Sequence, residues 1–301
     1  MMFPKYVHIT EVGPRDGLQN EPTFVSTEKK IDFINQLSIT GLHAIEVSSF
    51  VSPKSIPQLV DSHDVYQKIN KNTSVTYSAL VPNELGMQHA LEVGVKKIAV
   101  FTAASETFTQ KNIHCSIEES LERFQDVLTL AKRDNIRVRG YVSCAFGCPY
   151  EGATQPEVVA HLAEQLMHLG CDEIGIGDTI GIGTPERTKH LIHVLTKKVP
   201  LEKISMHFHD TYGQAIANIY ASLQVGISSF DSSVSGLGGC PYAKGATGNV
   251  ATEDVLYLLQ ELNIETGIDL SKVLAAGHFI SSALNRKNGS KVAQALLQRE
   301  T

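Results

Sequence analysis

The chain has 301 residues, of which 42% are hydrophobic, and a net charge of −6 at neutral pH. This length is enough for one large domain or two small ones. Acidic and basic residues are interspersed, so the sequence lacks the cationic cluster that binding to nucleic acid needs, although a local basic pocket for an anionic small molecule stays open.

The five cysteines are odd in number and irregularly spaced. This usage argues against a disulfide framework or a zinc ribbon and favours a reducing compartment. The N-terminus has no basic stretch followed by an apolar segment, and no apolar run approaches the roughly 20 residues that a membrane span needs. We therefore expect a soluble cytoplasmic protein with no membrane partner.

Short β-branched runs alternate with longer amphipathic runs along the chain. The predicted strands are 6–12, 44–48, 74–80, 96–102, 137–143, 173–178, 203–209 and 228–234. The predicted helices are 27–40, 56–70, 83–93, 117–134, 155–169, 184–197, 213–225 and 252–262. Eight strand–helix units are typical of a TIM (β/α)8 barrel, an α/β fold.

A doubly wound α/β sheet would show the same alternation. The count of eight and the absence of a G-x-G-x-x-G motif after the first strand favour the barrel. Helical spacing over 271–298 predicts appended C-terminal helices. Because no Pro/Ser/Gly-rich linker separates them, we expect one catalytic domain over 1–301, with 265–301 as a C-terminal helical extension.

Polar residues cluster where the predicted strands end. Active sites of TIM barrels lie at this carboxyl-terminal face, so separated segments are expected to converge on one mouth. The residues are Arg15 and Asp16 after the first strand, Glu46 in the second, Asp178 in the sixth, His207 and His209 in the seventh, and Cys240 and Asn249 after the eighth.

His207 and His209 are spaced i, i+2, which puts both side chains on one face of a strand. Turned into the barrel lumen beside carboxylates and an amide oxygen, they would complete a mixed nitrogen and oxygen site. Such a set suits Mg2+ or Mn2+ better than zinc. The alternative is a pair of hydrogen-bonded histidines in a polar layer of the core.

Arg15 and Asp16 lie in a turn shaped by Gly13, Pro14 and Gly17. A guanidinium that stays charged, fixed next to a metal-binding carboxylate, can stabilise an enolate. The alternative is a surface ion pair of little consequence. Glu46 and Asp178 are core carboxylates, which are costly to bury unless a cation, an arginine or a substrate hydroxyl pairs with them.

The stretch 233–242 is rich in glycine and carries Cys240. A thiol on such a loop is placed for chemistry, and the loop is interpreted as an active-site lid. The alternative is that Cys240 is a small buried apolar side chain.

With these motifs the chain resembles the 3-hydroxy-3-methylglutaryl-CoA lyase family of barrel metallolyases over nearly its whole length. The matching segments are 11–21, 45–51, 177–181, 207–214 and the Cys240 loop. The resemblance implies cleavage of 3-hydroxy-3-methylglutaryl-CoA to acetyl-CoA and acetoacetate, in leucine degradation or ketone-body formation. It also implies an acyl-CoA substrate and a homodimer.

The resemblance implies roles for individual residues. It assigns stabilisation of the acetyl-CoA enolate to Arg15 and the proton transfers to Cys240 and His207. The implied ligands of Mg2+ or Mn2+ are Asp16, His207, His209 and Asn249. Further active-site acids, which would orient the metal, the substrate or the lid, are Glu46, Asp178 and Glu253.

Two alternative functions stay open. One is a lyase of the same barrel group that acts on a longer branched 3-hydroxyglutaryl-CoA. The other is a non-catalytic acyl-CoA-binding barrel, for which a broken site would be expected, whereas all the implied residues are present.

Overall fold

The computed structural model describes residues 3–52, 54, 56–239 and 248–297, the side chain of Leu297 excepted. Eight parallel strands close into a barrel in which each strand pairs with its neighbours along the chain and β8 pairs with β1. The TIM-barrel prediction is confirmed. The strands are β1 His8–Glu11, β2 Ala44–Ser49, β3 Thr76–Leu80, β4 Lys97–Ala103, β5 Arg137–Ser143, β6 Glu173–Asp178, β7 Ile204–Phe208 and β8 Ser229–Ser232.

Helices surround the barrel, and their ends carry the expected signals. Ser116 and Glu119 form a capping box at the start of one of them. The helices are α1 Thr27–Ser38, α2 Ser62–Lys68, α3 Glu84–Glu92, α4 Glu106–Ile113, α5 Ile117–Arg133, α6 Pro156–Leu169, α7 Pro185–Leu195, α8 Ala215–Gln224, α9 Thr252–Glu261, α10 Leu270–Ala283 and α11 Lys291–Leu297. None of them is long and apolar enough to cross a membrane, among the residues described.

Three local predictions needed correction. The segment 56–70 is not one helix, because a 3-10 turn at Pro57–Leu59 precedes α2. Neither α4, a short, largely polar helix, nor the π-helical turn Gly13–Gly17 was predicted from the sequence. The appended C-terminal helices were predicted correctly as α10 and α11.

The apolar core lies between the strands and the helices, while the lumen is closed by a charged layer. Arg139 on β5 contacts Asp231 on β8 at 2.6 Å, although these strands are not neighbours. Both side chains therefore point into the lumen. Arg139 also contacts Glu173 at 2.5 Å, and Lys97 contacts the same carboxylate at 2.6 Å. This network is the floor beneath the mouth of the barrel.

Candidate active site

The π-helical turn Gly13–Gly17 follows β1 and carries Arg15 and Asp16. The Glu11 carboxylate holds the turn by accepting the backbone N–H of Gly13 at 2.8 Å. A Cβ on Gly13 would lie 2.5 Å from Glu11 Oε1, so a larger residue here would displace this carboxylate. Burial raises the pKa of the Glu11 carboxyl to about 7. The turn therefore places two charged side chains at the mouth of the barrel.

Arg15 is buried between two carboxylates. Its Nη1 donates to Asp16 Oδ1 at 2.7 Å, and its Nε donates to Glu46 Oε1. Burial alone would lower the pKa of the Arg15 guanidinium, but the charges of Glu46 and Asp16 outweigh it and raise that pKa above the usual range. Arg15 is therefore a permanent cation in a fixed orientation. Glu46, 1% exposed, has the arginine partner that a buried carboxylate requires.

Asp16, His207 and His209 form one cluster. The Nε2 atoms of the two histidines each lie 3.9 Å from Asp16 Oδ2, and one ligand atom from each residue lies within 4.8 Å of the others. Burial would raise the pKa of the Asp16 carboxyl, but Arg15 and both histidines outweigh it and lower that pKa to about 2. A permanent carboxylate between two imidazoles can bind a divalent cation.

Asn249 adjoins this cluster. Its Nδ2 donates to Asp16 Oδ2 at 2.8 Å and to the Leu237 carbonyl at 3.2 Å. The backbone of Asn249 also pairs with His209 through an antiparallel bridge. A half-turn of the amide group would present Oδ1, a ligand for hard cations, to the same space.

Asp231 is a further residue of the site that was not predicted from the sequence. Its Oδ2 lies 3.2 Å from His207 Nδ1 and accepts the Tyr141 hydroxyl at 2.8 Å. Burial alone would lower the pKa of His207, but its bond to Asp231 and the charge of Asp16 raise it above its ordinary value. Asp231 thus orients the imidazole so that Nε2 faces Asp16. The signal in the sequence was a carboxylate inside the predicted strand 228–234, and the structure places it in register with His207.

A cavity of about 540 Å3 opens above these side chains. One pole is charged and includes Arg15, Asp16 and the two histidines. The apolar part of the lining, called the apolar wall below, includes Leu80, Phe101, Phe108, Phe124 and the ring of Tyr141. A cavity of this size and mixed lining suits a small molecule that has a polar reacting centre and an apolar part.

Asp178 ends β6, as predicted from the sequence, but its side chain is not among those that line this cavity. Gly177 is in register with His207, whereas Asp178 is in register with Phe208, which packs in the core outside the lumen. The Asp178 carboxylate accepts the backbone N–H groups of Ile182 at 3.1 Å and Gly183 at 2.8 Å. Burial raises its pKa to about 6. It shapes the loop after β6.

Glu253 is also separate from the cluster. It lies in the first turn of α9, fully buried, and accepts the backbone N–H of Ser235 at 2.9 Å. Burial raises the pKa of the Glu253 carboxyl to about 8. Cys240 lies outside the described residues. Arg15 and Glu46 therefore lie beside the cluster of Asp16, His207 and His209. Glu253 instead contacts Ser235 at the start, or root, of the Cys240 loop.

Comparisons with known proteins identify one family. A family model described as HMGL-like matches residues 6–280. A Pseudomonas aeruginosa protein named 3-hydroxy-3-isohexenylglutaryl-CoA/hydroxy-methylglutaryl-CoA lyase is 56% identical over 99% of this chain and 100% of its own length. The cytoplasmic 3-hydroxy-3-methylglutaryl-CoA lyase of Rattus norvegicus is 56% identical over 97% of this chain and 85% of its own length.

Solved structures agree with these relatives. The hydroxymethylglutaryl-CoA lyase of Pseudomonas aeruginosa superposes with a TM-score of 0.97 at 56% identity, covering 99% of this chain and 100% of its own. An HMG-CoA lyase from Acinetobacter baumannii, in complex with coenzyme A and 3-methylmalate, superposes with a TM-score of 0.94 at 36% identity, covering 98% of this chain and 96% of its own.

Proposed function

The chain belongs to the HMGL-like family, and on that premise we propose that it is a carbon–carbon lyase that cleaves 3-hydroxy-3-methylglutaryl-CoA to acetyl-CoA and acetoacetate. The observation that carries this function is the cluster of Asp16, His207 and His209 beside the buried Arg15. The reaction removes a proton from a tertiary alcohol, breaks a carbon–carbon bond and leaves a thioester enolate. A cation site next to a fixed guanidinium matches those needs.

The donor set fits Mg2+ or Mn2+. One carboxylate, two imidazoles and one amide form the nitrogen and oxygen set that these cations accept, and the four residues adjoin at one pole of the cavity. The proposed ligands are Asp16, His207, His209 and Asn249. When bound, the cation supplies Lewis acidity to the oxygen atoms of the substrate.

Arg15 stabilises the enolate. Its Nε and Nη1 are held by Glu46 and Asp16, while the side chain lines the cavity, so its other N–H groups can donate to the oxygen on which charge develops. Since the guanidinium is oriented before substrate arrives, little reorganisation is needed during the reaction. Glu46 acts through Arg15 and is a positioning residue.

His207 and Cys240 carry out the two proton transfers. One takes the proton of the tertiary hydroxyl as the carbon–carbon bond breaks, and the other delivers a proton to the enolate carbon. Asp231 engages Nδ1 of His207 and so fixes the orientation of its ring at the cavity. Glu253 and Asp178 act on the surrounding loops.

A longer branched 3-hydroxyglutaryl-CoA is a second candidate substrate. The apolar wall formed by Leu80, Phe101 and Phe108 can contact a hydrocarbon branch at the reacting carbon. The Pseudomonas aeruginosa relative bears a name that states both activities. Cleavage rates measured on the methyl and the isohexenyl thioesters would decide between one substrate and two.

The protein is proposed to be a cytoplasmic homodimer built from one catalytic domain, 1–301, with 265–301 as a C-terminal helical extension. Contacts that support the single domain include a hydrogen bond from Asp269 N to Thr40 O at 2.7 Å. The cytoplasmic rat relative supports the location, and leucine degradation or ketone-body formation would be the context. Light scattering after size exclusion tests the dimer.

Product analysis tests the proposed function. The protein is incubated with 3-hydroxy-3-methylglutaryl-CoA, a reducing agent and Mg2+, with and without EDTA. Equal amounts of acetyl-CoA and acetoacetate are expected without EDTA and neither product with it, with recovery on adding Mn2+. An Asp16→Asn variant should stay inactive under all conditions. No turnover by the wild type with metal present would instead indicate a non-catalytic acyl-CoA-binding barrel.

A further inference from the structure

Ser235 lies in the short turn Val234–Gly236, at the root of the Cys240 loop, and has φ 60° and ψ 12°. Residues other than glycine adopt this left-handed conformation at a cost, and they keep it only where the surroundings impose it. Ser235 is fully buried. Its neighbours must therefore hold it in place.

Hydrogen bonds to four residues hold Ser235. Its N–H donates to Glu253 Oε2 at 2.9 Å, and its hydroxyl donates to the Gly277 carbonyl at 3.0 Å. The Ser281 hydroxyl donates to Ser235 Oγ at 3.1 Å, and the backbone N–H of Gly289 donates to its carbonyl at 2.9 Å. The backbone and the side chain of Ser235 are thus both fixed.

Three of the four partners belong to the C-terminal helical extension. Gly277 and Ser281 lie one helical turn apart on α10, and Gly289 lies between α10 and α11. A Cβ on Gly277 would lie 2.8 Å from Ser235 Oγ and 2.6 Å from Glu253 Oε1. Glycine at this position is what lets α10 approach the loop so closely.

On its other side, the turn is linked through Leu237 and Asn249 to the cluster of Asp16, His207 and His209. Two residues beyond Ser235, the Leu237 carbonyl accepts both the backbone N–H of Asn249 at 3.4 Å and its Nδ2 at 3.2 Å. The same Nδ2 donates to Asp16 at 2.8 Å. A continuous set of contacts therefore runs from α10 through Ser235 to a proposed metal ligand.

We propose that Ser235 and Ser281 are positioning residues of the active site: α10 fixes the root of the Cys240 loop and thereby sets Asn249 against Asp16. The C-terminal helices thus have a role in the reaction beyond covering the barrel. This inference rests on the proposed function, because it treats Asn249 and Asp16 as ligands of the cation.

A pair of neighbouring serines tests the inference. Ser281→Ala removes the hydroxyl that reaches Ser235, whereas Ser282→Ala removes an exposed hydroxyl one residue further along α10. Mn2+ affinity is measured by electron paramagnetic resonance. The values of kcat and KM are measured with the thioester as substrate, and amide exchange over 233–239 is followed by mass spectrometry. For Ser281→Ala, Mn2+ affinity and kcat should both fall about two- to tenfold, the factor that one net hydrogen bond carries.

The same variant should show faster amide exchange over 233–239 and a KM that changes less than kcat, while Ser282→Ala matches the wild type. A lower melting temperature for Ser281→Ala with wild-type Mn2+ affinity and kcat would overturn the inference and leave Ser281 a purely stabilising residue.

If Ser281→Ala does not fold, Ser235→Gly replaces it, because glycine accepts the left-handed φ but lacks the hydroxyl. The same loss of Mn2+ affinity is expected, and unchanged affinity would again refute the inference. Weakened Mn2+ binding in a protein that never cleaves the thioester would refute the proposed function and leave the positioning role standing.

Discussion

Replacing Asp231 by Asn tests how the lumen prepares His207. Asp231 accepts a hydrogen bond at 3.2 Å from His207 Nδ1, which leaves the Nε2 lone pair facing Asp16. An asparagine amide can instead donate to Nδ1, which would put the proton on Nε2 and remove the lone pair that a cation needs. The change keeps the size of the side chain and reverses the preferred tautomer.

The expected magnitude follows from this contact. Loss of the partner that orients a metal-binding histidine typically lowers metal affinity or activity by about 10- to 100-fold, or about 1.4 to 2.7 kcal/mol. Stability should also fall, because Arg139 loses a buried anion at 2.6 Å. Glu173 still pairs with Arg139, so the fold should persist.

Glu173→Gln is the matched control. It removes the other anion that pairs with Arg139. The Glu173 carboxylate is 29% exposed and contacts Arg139 and Lys97, whereas His207 contacts Asp231. Mn2+ affinity and kcat/KM are measured for both variants well below their melting temperatures. Asp231→Asn should weaken Mn2+ binding and turnover, and Glu173→Gln should not. Equal effects in the two variants would mean that Asp231 only stabilises Arg139, which would refute the reasoning.

Three further substitutions have defined outcomes. Asn249→Ala should weaken Mn2+ binding in calorimetry, since it removes a proposed ligand; unchanged affinity would count against that role. Asp178→Asn should lower the melting temperature but leave Mn2+ affinity intact, because its carboxylate binds loop amides outside the lumen. Burial raises the Glu253 pKa from 4.5 to about 8, so the folded protein binds a proton here more tightly than the unfolded chain does. The contribution of this group to folding stability is therefore complete below pH 4.5 and declines as the pH rises towards 8. Urea unfolding of Glu253→Gln should therefore show a stability gain over wild type that grows between pH 5 and 8, by at most about 1.4 kcal/mol per unit, and a constant difference would contradict this.

The fold was predictable because the periodic pattern repeats eight times. Each predicted barrel strand coincides with an observed one, and the polar residues at the strand ends pointed to the carboxyl-terminal face. His207 and His209 could be assigned to one face because their spacing matches the period of a strand.

The orientation of single carboxylates was not predictable. Strands of a parallel barrel are buried on both faces, so alternation does not reveal which face is the lumen. Asp178 and Asp231 both lie in buried strands, yet the first points to the helix layer and the second to the lumen. Only the register between neighbouring strands separates the two cases. The contacts of Ser235 depend on α10, which is distant in sequence and gave no local signal.

Crystals grown with Mn2+ would test the proposed cation site, since anomalous scattering locates the ion. We expect one strong peak within coordination distance of an Asp16 carboxylate oxygen and the Nε2 atoms of His207 and His209. No peak at that cluster, or a peak held by other side chains, would contradict the proposal that these segments meet to bind a divalent cation.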